Sequence, residues 1–137
     1  MQNPITIIPG VEKILILPFW YNCPMVLPFS ESVTKNGFVF ISGQVHLTPD
    51  GKLLEGNIEK QTHQVMKNLR AVLEKEGLGF ENVVNATIFV IDMANYTKVN
   101  EVYASYFSGT FPAREFICVK ELPIGSQVEI SMIAAKN

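Results

Sequence analysis

Two charged side chains stand where a buried sheet would exclude them. In FPAREFICVKELPIGSQVEI (111–130), Arg114 follows Pro112-Ala113 and opens an apolar, strand-like run. Glu129 lies between Val128 and Ile130 in a second such run. Arginine keeps its proton, and its planar fork matches a carboxylate through two parallel hydrogen bonds. Arg114 therefore needs an anion, either a structural glutamate from a neighbouring chain or the carboxylate of a ligand. Pro112 fixes the path into the strand, and Ala113 leaves room beside the guanidinium. Glu129 also has two readings. Facing solvent, it is the outward residue of an alternating strand, with Gln127 and Ser131 on its side. Facing a partly buried cleft near Arg114, it could polarise a water as a general base. A nearby arginine would keep it ionised and weaken its basicity.

Other residues join these as candidates. Gly43, in Ser42-Gly43-Gln44, implies a bulge or the close approach of another backbone or a ligand within a strand. Ser42 could donate a hydrogen bond to that ligand; with no His or Lys beside it in sequence, a nucleophilic serine is disfavoured. Asn100 is either a satisfied core amide or a site residue. His46 and His63 are the only histidines and lack ligand spacing, so no metal site is expected. Gly77-Leu78-Gly79 reads as a helix stop rather than a phosphate loop. Cys118 is expected to alternate into the core.

The elements that must hold these residues are legible from periodicity. GFVFISGQV (37–45) is apolar on alternate and intervening positions, as in a strand covered on both faces. TPDG (48–51) is a turn. Asn57 caps a helix whose Ile58, Thr62, Val65, Met66, Leu69, Val72 and Leu73 share one face. Lys60, His63, Gln64, Lys67 and Arg70 mark the other face, and Gly77 stops the helix. A strand follows over 82–92, with Val84, Ala86, Ile88 and Val90 on alternate positions. A second helix covers roughly 95–107, with Tyr96, Val99, Tyr103, Tyr106 and Phe107 on its apolar side and Asn100 on or beside it. FPAR leads into a strand near 114–120, LPIG (122–125) turns it, and 127–135 closes the sheet. After an irregular N-terminal section, the order is β-β-α-β-α-β-β: an α+β design of two layers, with two helices on one face of a mixed sheet. The opposite face is then uncovered and apolar, so identical subunits are expected to pack there.

Composition narrows the function classes. The 137 residues fit a single domain with one core. A net charge of −2 and the lack of any basic block argue against a nucleic-acid partner. Two cysteines, Cys23 and Cys118, imply neither a disulfide framework nor zinc, so a reducing, cytoplasmic setting is expected. ILILPFWYNCPMVLPF (14–29) is the most apolar stretch, but three prolines break it and it is too short to span a membrane. It reads as short extended pieces lying on the core or on a neighbouring subunit.

FISGQV, EKQTHQVMKNLRAVLEKEG, NATIFVIDMANYTKVNEVYASYF, FPAR and LPIGSQVEISMIA, in that order, resemble the RidA/YjgF family over about residues 26–135. Residues 1–25 form an atypical N-terminal extension of the single domain. The resemblance implies a chorismate-mutase-like α+β fold and a homotrimer with three clefts between subunits. It also implies cofactor-independent hydrolysis of enamines and imines, such as 2-iminobutanoate and 2-iminopropanoate, to 2-oxo acids and ammonia. By the same resemblance Arg114 binds the substrate carboxylate, Glu129 orients or activates water, and Ser42 and Asn100 line the cleft. Phe29 stands where deaminating members usually carry tyrosine, so it keeps the ring and loses the hydroxyl. Glu115 and Phe116 replace a small residue and a cysteine, and the Phe116 ring is expected to narrow the cleft. Trp20, Tyr21 or Asn22 could fill part of the same region. These departures suit a specialised biosynthetic catalyst acting on a larger imine, enamine or enol as an alternative. The apolar 14–29 segment motivates a third reading, a non-enzymatic ligand- or protein-binding trimer.

Overall fold

Asn57 begins the longest helix, α1 (Ile58–Lys75), by accepting a hydrogen bond from the Lys60 amide at 2.9 Å in a computed structural model of the chain. The structure describes residues 27–137, together with Gly10 and the backbone of a strand, β1 (Lys13–Leu15). Every apolar-face residue expected for α1 is buried, and Gln61 joins them. Gly77 ends the helix at φ 71°, a left-handed conformation that costs glycine little. The Leu78 amide then closes back on the Leu73 carbonyl at 2.9 Å.

The remaining strands are β2 (Ser32–Lys35), β3 (Phe38–Val45), β4 (Val83–Val90), β5 (Ala113–Cys118) and β6 (Val128–Ala135). They form one six-stranded sheet in the order β1-β2-β3-β6-β4-β5. All pairings are antiparallel except β4 with β5, which are parallel. The second helix, α2 (Tyr96–Ala104), supplies the crossover that a parallel pair requires. A single 3₁₀ turn (Met93–Asn95) precedes it, capped by the Asp92 carboxylate. Three strands rather than two precede α1. The additional one, Lys13–Leu15, is too short to show alternation and is defined by its pairing with β2.

One sheet face carries the core. Val39, Ile41, Ala86, Ile88, Val90, Val128, Ile130, Met132 and Ala134 are buried there beneath α1 and α2. The opposite face lacks such cover among the described residues: Phe38, Phe40 and Ile117 are exposed on it, Phe40 at 46%. Two expectations need correcting. A register shift between Val83 and Asn85 sends Val84 out to 45% exposure, because a bulge breaks the strict alternation of β4. Cys118 is exposed rather than buried, since it ends the edge strand, beyond the cover of α2.

Candidate functional site

Arg114 sits on β5 and pairs in register with Ala86, a core-facing residue of β4. Its guanidinium therefore leaves the sheet on the helix side. There it donates from Nη1 to the Asn100 side-chain oxygen at 2.7 Å. The Tyr103 and Phe116 rings hold the guanidinium carbon at 5.2 and 5.4 Å from their centroids. Phe116 is in turn fixed by an edge-on contact with Tyr96, at 4.7 Å between centroids. Asn100 and Tyr103 lie on α2 three residues apart, and that helical spacing brings both to one cation. Burial pushes the Tyr103 phenol up to about 12, against the opposing pull of the Arg114 charge. No carboxylate lies within ion-pair distance of Arg114 among the described residues. Glu115 leaves the strand on the other face, so it is not the missing anion within the same chain.

Glu129 follows the opposite geometry. Its neighbours Val128 and Ile130 are fully buried, so its own side chain leaves the sheet on the uncovered face. The β3–β6 register shifts between Ile41 and Gln44, and the bulge brings Gly43 under the carboxyl group. A methyl group built on Gly43 would overlap the Glu129 carboxylate. The glycine is thus required for close approach, as its position in a strand implied, but the group that approaches is a side chain of the same protein. Phe29, Ser42, Gly43 and Glu129 line one cavity of about 630 Å³. Phe29 is exposed there, and the Ser42 hydroxyl donates to the Ser30 carbonyl. Glu129 makes no hydrogen bond or ion pair with the described residues, and burial raises its pKa above the usual carboxylate value.

The candidate residues fall into two clusters. Phe29, Ser42 and Glu129 come together at the bulge of β3. Asn100, Arg114 and Phe116 come together against α2. Arg114 and Glu129 lie on opposite faces of one sheet, so a single chain does not join them. Trp20, Tyr21 and Asn22 lie outside the described residues. Among the described residues, no three metal-ligating side chains converge, and no helix is long and apolar enough to cross a membrane.

Sequence reasoning overlooked His46. The residue is 1% exposed, with Nδ1 at 2.9 Å from the Leu54 carbonyl and Nε2 accepting the Gln127 amide at 3.0 Å. Its ring closes the end of the β3–β6 ladder two residues from Glu129, and no ligand spacing could have revealed that. These partners require a neutral ring with the proton on Nδ1. Burial lowers its pKa from 6.5, the direction opposed only by the Leu54 hydrogen bond. The unfolded chain takes up the proton first as pH falls. The stabilisation is thus complete above pH 6.5 and is lost as pH falls through the lowered folded-state value. Urea unfolding between pH 8 and 5 should show this acid loss. His46→Leu should cost about 2 kcal/mol at pH 8, for two unpaired backbone groups, and should flatten that dependence.

The chain matches the family described as Endoribonuclease L-PSP over residues 22–136. It is 45% identical over 112 residues to a RutC family protein of Aquifex aeolicus, covering 80% of this chain and 89% of that protein. It is 42% identical over 111 residues to the 2-iminobutanoate/2-iminopropanoate deaminase of Mus musculus, covering 80% and 82%. The structure superposes on the YjgF gene product of E. coli with a TM-score of 0.80 at 28% identity, over 91% of this chain and 99% of that one. The order of motifs, the α+β fold and these matches agree: the chain belongs to the RidA/YjgF family.

Proposed function

We propose that the protein hydrolyses reactive 2-imino acids to 2-oxo acids and ammonia, without a cofactor, at clefts completed by neighbouring copies in a homotrimer. The observation that carries this reading is Arg114: a part-buried, oriented guanidinium with no carboxylate partner among the described residues. Asn100 takes one of its N–H groups, and the two rings fix its plane, leaving donors free for a substrate carboxylate. The similarity to a mouse protein named as a deaminase of this kind supports the reaction class.

An imine carbon is already electrophilic, so the site has little covalent work to do. Arg114 holds the carboxylate and thereby fixes C2. Glu129 of a neighbouring copy accepts a proton as a water oxygen bonds to C2 and the C=N electron pair moves to nitrogen. That proton passes to the nitrogen, giving a carbinolamine. The C–N bond breaks, the remaining hydroxyl proton follows, and ammonia leaves with both protons of the water. Positioning and one proton relay supply the catalysis.

Trimer formation rests on the uncovered apolar face and on the opposed directions of Arg114 and Glu129. Arg114 is on the edge strand β5, where a second copy can approach. A shared cleft makes a direct prediction. Arg114→Ala and Glu129→Gln proteins, each nearly inactive alone on 2-iminobutanoate generated in situ, should regain activity when unfolded together and refolded as mixed trimers. Random mixing restores intact clefts in a sizeable minority of sites. A mixture no more active than its components would place both residues in one subunit's site, or outside the site altogether.

A further inference from the structure

In the single chain the cavity at Glu129 is much larger than a four-carbon imine needs. Its volume of about 630 Å³ falls among pockets that bury a much larger ligand. Beyond Glu129 its wall is apolar, built from Leu47, Pro49, Ala71, Pro123 and Ile124. The other polar side chains on the wall already have partners. Lys75 pairs with Glu31 at 2.9 Å, and Asn68 donates to the carbonyls of Val45 and Leu47 at 3.0 and 2.9 Å. Ser42 and Gln44 donate to backbone carbonyls, and Thr48 is held within its own turn. Among the polar side chains that line the cavity, only the Glu129 carboxylate is unengaged with the described residues. A ligand entering this pouch would meet mainly hydrocarbon, with the Glu129 carboxylate as the lining side chain left to engage it.

Ile124 adds an independent observation. It adopts φ 54°, the left-handed region that a β-branched residue rarely occupies, and it is 65% exposed. Glycine or asparagine would fill that turn position with less strain. An apolar, β-branched side chain held there lines the cavity, so the strained backbone lies against it.

We infer that the site selects 2-imino acids with a bulky apolar side chain, of leucine or phenylalanine size, that lies in the pouch formed by Leu47, Pro49, Ala71, Pro123 and Ile124. The inference rests on the deaminase reading above and retains its chemistry: water adds to C2, the C–N bond breaks, and a 2-oxo acid and ammonia are released. Hydrophobic pockets discriminate by about tenfold or more per methylene.

The test uses imines generated in situ from alanine, 2-aminobutanoate, leucine and phenylalanine by an amino-acid oxidase, with semicarbazide as competitor for the imine. The expected result is a kcat/KM at least about tenfold higher for the leucine and phenylalanine imines than for 2-iminopropanoate. Ala71→Leu fills the pouch from an exposed position on α1, where leucine is a good helix former. It should lower the ratio of kcat/KM for the two large imines to that for 2-iminopropanoate about tenfold. Faster turnover of the small imines, or an equal effect of Ala71→Leu on all four, overturns the inference while the deaminase reading stands. Acceleration of none of the four imines overturns both.

Discussion

Replacing Arg114 by alanine should lower kcat/KM for 2-iminobutanoate by roughly a hundred- to ten-thousandfold. Two charge-assisted hydrogen bonds to a carboxylate, each contributing about 1.5–3 kcal/mol, account for that range. Stability should fall by only about 1–2 kcal/mol, because the Asn100 hydrogen bond and two ring contacts are lost from an edge strand but no ion pair is lost among the described residues. Arg114→Lys separates charge from geometry. Lysine keeps the positive charge but lacks the planar fork that Asn100, Tyr103 and Phe116 orient. It should recover only part of the loss. Steady-state kinetics together with urea unfolding of both variants distinguishes this from a structural role. A large fall in stability with unchanged kcat/KM in the folded fraction would make Arg114 a sheet residue and nothing more.

Glu129→Gln should reduce kcat by about a hundred- to ten-thousandfold, the usual range for a positioned general base, with a smaller effect on KM. The amide preserves shape at the Gly43 contact, so folding is retained. A pH profile adds a readout that packing alone would not move. The base form of Glu129 is the ionised carboxylate, and burial raises its pKa from 4.5. The wild-type rate should therefore fall as pH drops through that raised value, and the limb should vanish in Glu129→Gln. Gly43→Ala gives the same loss by another route: its methyl group would displace the carboxylate without removing it. A Gly43→Ala protein with full activity would mean that the observed position of Glu129 is not the working one.

Much of the fold could be read from local pattern. The cap at Asn57, the stop at Gly77 and the buried stripe of α1 follow from spacing and backbone preference, which act within a few residues. The two lone charges were conspicuous for the same reason: ionised groups in apolar strands need partners wherever the strands go. The motif order was enough to suggest the family. What local pattern could not show is where neighbours in space interrupt the period. Val84 breaks step because β4 shifts register against β6, and Cys118 is exposed because β5 is an edge.

The sequence by itself determined that Arg114 and Glu129 belong to strands, that Asn100 belongs to the helix before Arg114, and that one sheet face lacks helices. Only the tertiary structure decided that Arg114 and Glu129 leave the sheet on opposite faces. Only it showed that Tyr103 and Phe116 carry the guanidinium, that Gly43 lies beneath the carboxylate, and that His46 closes the ladder beside it. The physical reason is range. Periodicity records which side of its own strand a residue occupies, because sterics fix that within two residues. Which face of the assembled sheet that side becomes, and what stands opposite, depends on strand register, bulges and crossovers between segments far apart in the chain, 81 residues in the case of His46 and Gln127.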